Sequence, residues 1–425
     1  MQPPIGLGID LGTSGVRVAL VDAGGSHLAE QASPYPAAFE DPLGWRDGLI
    51  ALCARLPAPL RARVGAMAVD GTSGTLLLCR PDGGLLPGTL ALPYHQACPE
   101  QAAAAAALVG SGAEVAPGPA GSASGSLARA LALQEAAEAA GACGPWLLRH
   151  QADWLMGWLL GNWHWGEEGN NLRLGWDLQR QGWLGSIAAQ PWSAALPRIC
   201  ASGQPLGLLA PAVAQALGLP PSCQVVAGST DANAAVLAAD PQPGDGITVL
   251  GTTLVLKQFS QRPIHGAGIS CHRVAGQWLV GGASNAGAGV LRQFFSDSQL
   301  AELSRQIDPR RPSGLALRPL PRAGERFPVD DPALEPVLGP RPVSDALYLQ
   351  ALLEGLAAIE RAGWQRLAEL GAPPIQRVIS LGGGARNPQW RLIRQRLLGL
   401  PVLNRPQCTA AQGMAKLAVT ALSSP

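Results

Sequence analysis

The residues best suited to chemistry sit at a few junctions between apolar runs and small-residue turns. In "GIDLGTSGVRVALV" (8–21), Asp10 ends one apolar run and Gly12, Thr13 and Ser14 separate it from a second. In a phosphate loop that opens a helix, such glycines place the phosphate at the helix N-terminus. Here Val16, Val18, Leu20 and Val21 predict a strand instead, and the spacing Gly8, Gly12, Gly15 lacks a Gly-Lys-Ser/Thr. A hairpin tip can hold phosphate differently, through backbone N–H groups and the Thr13 and Ser14 hydroxyls. Asp10 would then face hydrated magnesium, which takes carboxylates besides phosphate oxygens. The competing reading is an ordinary Gly-rich hairpin in which Asp10 caps a turn.

Three further stretches carry candidate groups, each with a plain alternative. "VVAGSTDANAAVLAA" (225–239) predicts a strand, a turn and a helix opened by Asp231. That aspartate is either a helix N-cap or a general base at a strand end, where open α/β folds bind ligands. "AVDGTSGTLLLC" (68–79) puts Asp70, Thr72, Ser73 and Thr75 in a turn; small hydroxyls suit a polyol and suit turns equally. In "RVISLGGGARNPQWRLI" (377–393), Gly382, Gly383 and Gly384 would let a flat ring approach the backbone. Asn387 could bond a base or ribose there, although a triple glycine before a helix is also a generic turn.

The elements that must position these groups follow from periodicity. Strands are predicted at 5–10, 16–22, 64–69 and 75–79, helices at 101–108 and 127–140, and a loop at 110–126. A second half begins near 240, with strands at 247–250, 254–259 and 278–281 and a Pro-rich surface excursion over 308–343. A helix over 344–370, a strand over 377–381 and a helix over 388–398 complete it. "IDLGTSGVRVAL" (9–20) and "ITVLGTTLVLKQF" (247–259) share one design, aligning Gly12-Thr13-Ser14 with Gly251-Thr252-Thr253. A duplicated domain with one phosphate hairpin in each half would explain the match.

Composition excludes several function classes. The 425 residues are 47% hydrophobic and 14% charged, which predicts a globular chain of two or three domains. A formal net charge of +1 supplies no field for nucleic acid or an anionic membrane. The basic residues are nearly all arginine, with lysine only at 257 and 416. Eight scattered cysteines without a Cys-x-x-Cys pair, and six histidines without a ligand pair, predict free thiols and no structural metal. No apolar stretch suits a membrane span and the N-terminus reads as a strand rather than a signal peptide, so a cytoplasmic protein is expected. Eight of the twelve tryptophans fall between Trp146 and Trp192, a cluster expected to pack.

The order of the motifs along the chain resembles the FGGY carbohydrate kinases of the actin-like ATPase superfamily, over essentially the whole length. "IDLGTSGVR" is similar to their first phosphate motif, "LGTT" to their second and "LGGGARNPQW" to their adenosine motif. "GERFP" (324–328) resembles a family loop, "LLEGLAAIER" (352–361) the helix before the adenosine motif, and "TDANAA" the segment with the catalytic aspartate. The resemblance implies an α/β fold of two ribonuclease H-like, actin-like ATPase domains hinged around a central cleft. They would span 1–238 and 239–410, with a C-terminal helix over 411–425 packing back on the first. It implies ATP and Mg2+ as cofactors and a sugar as substrate, with Asp231 as general base. Asp10, Thr72, Ser73, Asp231 and Asn233 would hold the sugar. Gly12, Thr13, Ser14, Gly251, Thr252, Thr253, Gly382, Gly383, Gly384 and Asn387 would hold the nucleotide, with Mg2+ near Asp10 through water.

Departures from the pattern bear on the substrate. Ala232 follows Asp231 where many members carry Asn or Gln, and the Gln-Met-His-Gly of many xylulose kinases appears as Ser73-Gly74-Thr75-Leu76. "DGTSGT" with "STDANAA" looks most like the cyanobacterial and plant branch that converts D-ribulose to D-ribulose 5-phosphate. D-xylulose or another polyol is the alternative substrate. A non-catalytic sugar or nucleotide sensor, or an actin-like or chaperone-type ATPase, is the alternative of another class.

Overall fold

The computed structural model describes residues 3–86, 90–110 and 119–422. Residues 111–118 of the predicted loop and 423–425 of the predicted terminal helix lie outside them. The described chain forms two compact units, one made of 3–238, 273–276 and 409–422, the other of 239–272 and 277–408.

In the first unit, the apolar run Ile5–Leu11 is strand β1, in which only Asp10 is not fully buried. Near-continuous burial is what a strand covered on both faces requires. β1 pairs antiparallel with β2 (Val16–Val21), which pairs antiparallel with β3 (His27–Ser33). On its other side β1 runs parallel to β4 (Val64–Gly71). With β5 (Pro205–Leu208) and β6 (Gln224–Thr230) the sheet has the order β5-β6-β4-β1-β2-β3, β6 lying parallel to β4.

Helices α1 (Pro42–Arg55), α2 (Ser126–Ala139), α3 (Gln151–Leu160) and α4 (Asp231–Ala238) belong to this unit. The C-terminal helix Ala410–Leu422 packs on β1 so tightly that a Cβ on Gly8 would lie 1.8 Å from the Ala411 carbonyl oxygen. Gly8 therefore serves helix–sheet packing, and the phosphate hairpin begins at Gly12.

The second unit repeats the plan. Strands β7 (Asp245–Leu250), β8 (Leu254–Ser260), β9 (Ile269–Val274), β10 (Gln277–Ser284), β11 (Arg377–Leu381) and β12 (Val402–Asn404) form a sheet in the order β9-β10-β8-β7-β11-β12. Taken outward from the hairpins, β3-β2-β1-β4-β6 and β10-β8-β7-β11-β12 have one order and one set of directions. This is the duplication expected from the two Gly-Thr hairpins, in the ribonuclease H-like arrangement that the family resemblance implies. Helices α5 (Asp297–Gln306), α6 (Asp345–Glu369) and α7 (Pro388–Leu398) complete the unit.

Several elements escaped prediction for identifiable reasons. α1 has its cap signal, Asp41 accepting the Leu43 N–H at 2.9 Å before Pro42. Gly44 and Gly48 break its pattern, yet they let the helix press close, a Cβ on Gly48 lying 3.0 Å from Val16. β3 is a polar edge strand without alternation. α5 carries a Ser296/Gln299 capping box that the residue types alone announce. The 308–343 excursion is more than surface, because Leu317, Leu320 and Phe327 are buried in the second core. The tryptophans pack as expected, with Trp45 and Trp154 edge to face at 6.1 Å and Trp176 and Trp183 at 5.5 Å. All eight cysteines are free. No helix among the described residues is long and apolar enough to cross a membrane.

Candidate active site

Three neighbouring parallel strands of the first unit end in carboxylates. Asp10 on β1 is level with Asp70 on β4, and Asp70 is level with Ser229 on β6. Asp231 follows two residues after Ser229, at the junction of β6 and α4. Asp70 is fully buried, and its carboxyl oxygens accept no N–H or hydroxyl among the described residues. Its neighbour is the Asp10 carboxyl. Burial, then the charges of Asp10 and Asp231, hold Asp70 well above the usual carboxylate range. Burial, then the charge of Asp231, raises Asp10 to about 6 against the pull of Arg17, its cross-strand partner on β2. Asp70 is the residue of this cluster that sequence reasoning left without a role, since nothing in "AVDGTSGT" shows that parallel pairing will set it beside Asp10.

These shifts give free-protein stability a pH signature. Folded Asp10 keeps its proton up to about pH 6, while the ordinary value is 3.8. The folded state thus binds this proton more tightly. Its contribution to stability is full below the unfolded value and is lost as pH rises through the folded one. Asp10→Asn removes that dependence. The difference in Tm between Asp10→Asn and wild type should widen from about pH 4 to about pH 7 and then level off. A difference that does not vary with pH would mean that Asp10 titrates as an ordinary aspartate.

Asp231 is not the cap of its helix. The Thr230 hydroxyl accepts the Asn233 N–H at 3.4 Å, while Asp231 Oδ1 accepts the Ala232 N–H at 2.7 Å. The helix N-terminus, with its partial positive charge, supports an ionised carboxylate there. Asp231 is partly exposed and Asn233 is fully buried. The Asn233 amide donates to the Ser229 hydroxyl at 3.3 Å, so Asn233 braces the strand end rather than facing a sugar.

The turn after β4 also divides its labour. Thr72 was a candidate sugar ligand, but it is buried and its hydroxyl is bonded to Thr75 at 2.6 Å and to Gln151 Oε1 at 2.8 Å. Gln151 also accepts the Thr72 N–H at 3.0 Å. Thr72 is therefore spent on holding the turn. Ser73, at its tip, is partly exposed. At the hairpin between β1 and β2, Thr13 and Ser14 are exposed, and the Tyr35 hydroxyl donates to the Gly12 carbonyl at 2.8 Å. Thr13 donates to the Tyr94 hydroxyl at 3.2 Å. Tyr94 was not foreseen, because "PYHQ" carries no pattern that places it beside residue 13.

In the second unit, a cavity of about 830 Å³ runs from Gly251 and Thr252 to Gly383, Gly384 and Asn387. Its volume lies in the range of small-molecule sites. Leu291 and Leu300 supply apolar walls. Gly382, with φ of 81°, turns the chain out of β11, and Thr253 is partly exposed at the β7–β8 tip. Asn387 lines the cavity, but its Oδ1 caps α7 by accepting the Trp390 N–H at 3.0 Å and its Nδ2 donates to Ser304 at 2.9 Å. The base-binding role expected of its side chain is thus largely replaced by fixing the turn and Ser304.

The Gly251–Thr253 hairpin is held by a residue that the sequence analysis passed over. Glu325, buried in the "GERFP" loop, accepts the Ser284 hydroxyl and the Asn285 N–H. The segment it fixes donates from Ala288 to the Gly251 carbonyl at 2.9 Å and from Gly289 to the Thr252 carbonyl at 3.2 Å. Several donors on one carboxylate make such a pin rigid.

Residues 246–422 match the C-terminal domain of the FGGY family of carbohydrate kinases. Among solved structures, one described as a xyloylose kinase from Brucella ovis is 21% identical, with TM-score 0.81 over 99% of this chain and 91% of its own. A xylulose kinase from Rhodospirillum rubrum is 22% identical, with TM-score 0.80 over 98% and 90%. The Plasmodium falciparum glycerol kinase with ADP is 15% identical, with TM-score 0.79 over 99% and 90%. These likenesses show a shared two-unit fold.

Proposed function

Because residues 246–422 match the C-terminal domain of the FGGY family of carbohydrate kinases, we propose that this chain is a sugar kinase that uses ATP to phosphorylate the terminal hydroxyl of a ketopentose, D-ribulose in preference to D-xylulose. The observation that carries the reading is the partly exposed Asp231 beside two level carboxylates, with Thr230 already serving as the cap. Asp231 accepts the proton of the sugar hydroxyl as its oxygen forms a bond to the γ-phosphorus. The bond from that phosphorus to the bridging oxygen breaks, and ADP leaves with the electron pair. Phosphoryl transfer asks the protein chiefly for position and charge stabilisation. Gly12, Thr13 and Ser14 in the first unit and Thr252 and Thr253 in the second offer backbone N–H groups and hydroxyls to phosphates. Gly251 shapes the second tip by donating its N–H to the Thr253 carbonyl at 3.1 Å, and the second unit's cavity takes the adenosine.

Asp10 fits a hard cation. It is an oxygen donor, only partly exposed, in an acidic neighbourhood. Among the described residues no group of three or more His, Cys, Asp or Glu side chains could hold a metal. A magnesium ion at Asp10 would therefore keep water and phosphate oxygens as its other ligands, its usual mode. Its chemistry when bound is to neutralise charge on the phosphates. Asp10, Ser73 and Asp231 hold the ketose, and the reaction runs in the cytoplasm.

The two ketoses differ only at C3, so the pocket must discriminate one hydroxyl. A misplaced hydroxyl strands buried partners at about 1–3 kcal/mol, which corresponds to roughly a 5- to 150-fold preference. We expect kcat/KM to favour D-ribulose by that factor. The names of the xylulose kinases among the structural relatives favour the second reading, D-xylulose. Coupled ADP release over a panel of ketoses and polyols decides between them: equal values, or a preference for D-xylulose, would remove D-ribulose. Absence of turnover on every sugar would favour a sensor.

A further inference from the structure

Arg129, on α2, is fully buried and has no carboxylate partner among the described residues. Its guanidinium ends on five backbone carbonyls instead. Nε donates to Pro93 at 2.9 Å and Gln96 at 3.0 Å, Nη1 to Gly74 at 3.2 Å and Ser124 at 3.1 Å, and Nη2 to Tyr94. Burying a cation without a counter-ion is costly, and an apolar side chain would fill such a space with less penalty. What only this planar fork supplies is simultaneous reach to separate segments of chain.

Two of those segments, at Gly74 and at Pro93–Gln96, carry site residues. Gly74 directly follows Ser73, and its φ of 107° turns the chain where an L side chain would be strained. A Cβ on Gly74 would lie 3.2 Å from Arg129 Nη1 and 3.7 Å from the Tyr94 Cβ. The Tyr94 N–H donates to Thr75 Oγ1 at 3.1 Å, and the Tyr94 hydroxyl receives the Thr13 hydroxyl at 3.2 Å. One buried cation thus fixes the Ser73 turn against the segment that reaches the phosphate hairpin.

We propose that Arg129 is a positioning residue that sets the spacing between the Ser73 turn and Tyr94, and through it the epimer selectivity of the sugar site. This rests on the ketopentose kinase reading, with Ser73 on the sugar.

The test compares wild type with Arg129→Lys and Arg129→Met in the full-length protein. Lysine keeps the charge but offers its donors from one point, so it should not restore the clamp. For each variant, KM and kcat are measured for D-ribulose, D-xylulose and ATP, with ADP binding and Tm as controls. Displacing a binding group by a fraction of an ångström to one ångström should lower kcat/KM for the preferred ketose by about 10- to 100-fold. The ratio between the two ketoses should collapse toward unity, while ATP KM stays within about twofold. A purely structural arginine would lower Tm and leave that ratio unchanged. Should either variant fail to fold, Gly74→Ala strains the same junction from the turn side and is expected to give the same loss of epimer ratio. A folded variant that keeps the wild-type ratio overturns the clamp alone; wild type without turnover of either ketose overturns the ketopentose reading.

Discussion

Asp231→Asn should lower kcat by roughly 10²–10⁴, the range for a positioned general base, and leave ATP binding nearly intact. The substitution is close to isosteric, and the Asn oxygen can still accept the Ala232 N–H that Oδ1 accepts at 2.7 Å. The cap is supplied by Thr230, so the helix keeps it. What disappears is the ability to take a proton. Thr230→Val is the matching control, because loss of a cap hydroxyl costs about 1 kcal/mol of stability without touching the base. Retention of more than about half of wild-type turnover at saturating sugar would reduce Asp231 to a residue of the helix start.

Arg394→Met should destabilise the second unit by about 3–5 kcal/mol, the usual cost of stranding one partner of a buried ion pair. Arg394 and Glu360 are both fully buried and joined by two bonds of 2.6 Å. Glu360 also accepts the Thr248 hydroxyl, and Arg394 donates to the Ser380 hydroxyl. Thr248 and Ser380 are register partners on β7 and β11. The pair therefore ties α6 and α7 to the two strands that lead into Gly251 and Gly382. Urea unfolding followed beside ADP binding would show both losses, and adding Glu360→Leu should recover most of the stability by removing the stranded charge. A cost under about 1 kcal/mol for Arg394→Met would mean that water or another group reaches Glu360.

Much of this was legible without coordinates because local chemistry dictated it. Strands β1, β2, β4, β7, β8 and β11 follow from apolar runs bounded by glycines, and α6 and α7 from helical periodicity with a Ser cap at 344 and a proline at 388. The repetition of Gly-Thr-Ser and Gly-Thr-Thr between apolar runs pointed to the duplication, since a hairpin is set by neighbours in the chain. Where propensity and packing conflict, the sequence was silent. Gly44 and Gly48 signal a turn and sit in α1, because their missing side chains let the helix approach Ala37 and Val16 respectively.

The side-chain roles divide the same way. By itself the sequence determined which residues stand at strand ends and turns: Asp10, Thr13, Ser73, Asp231, Gly251 and Gly383. Backbone geometry over a few residues is enough for that. Only the tertiary structure decided which of them remain available. Thr72 is consumed by Thr75 and Gln151, Asn233 by Ser229, and Asn387 by Trp390 and Ser304. It also brought in Asp70, Tyr94, Arg129 and Glu325, whose partners lie tens of residues away in the chain. The reason is that a buried polar group must find a partner wherever the fold supplies one. Parallel pairing of β1, β4 and β6 joins residues 10, 70 and 229 by register across crossovers, a relation that no local pattern of residue types can express.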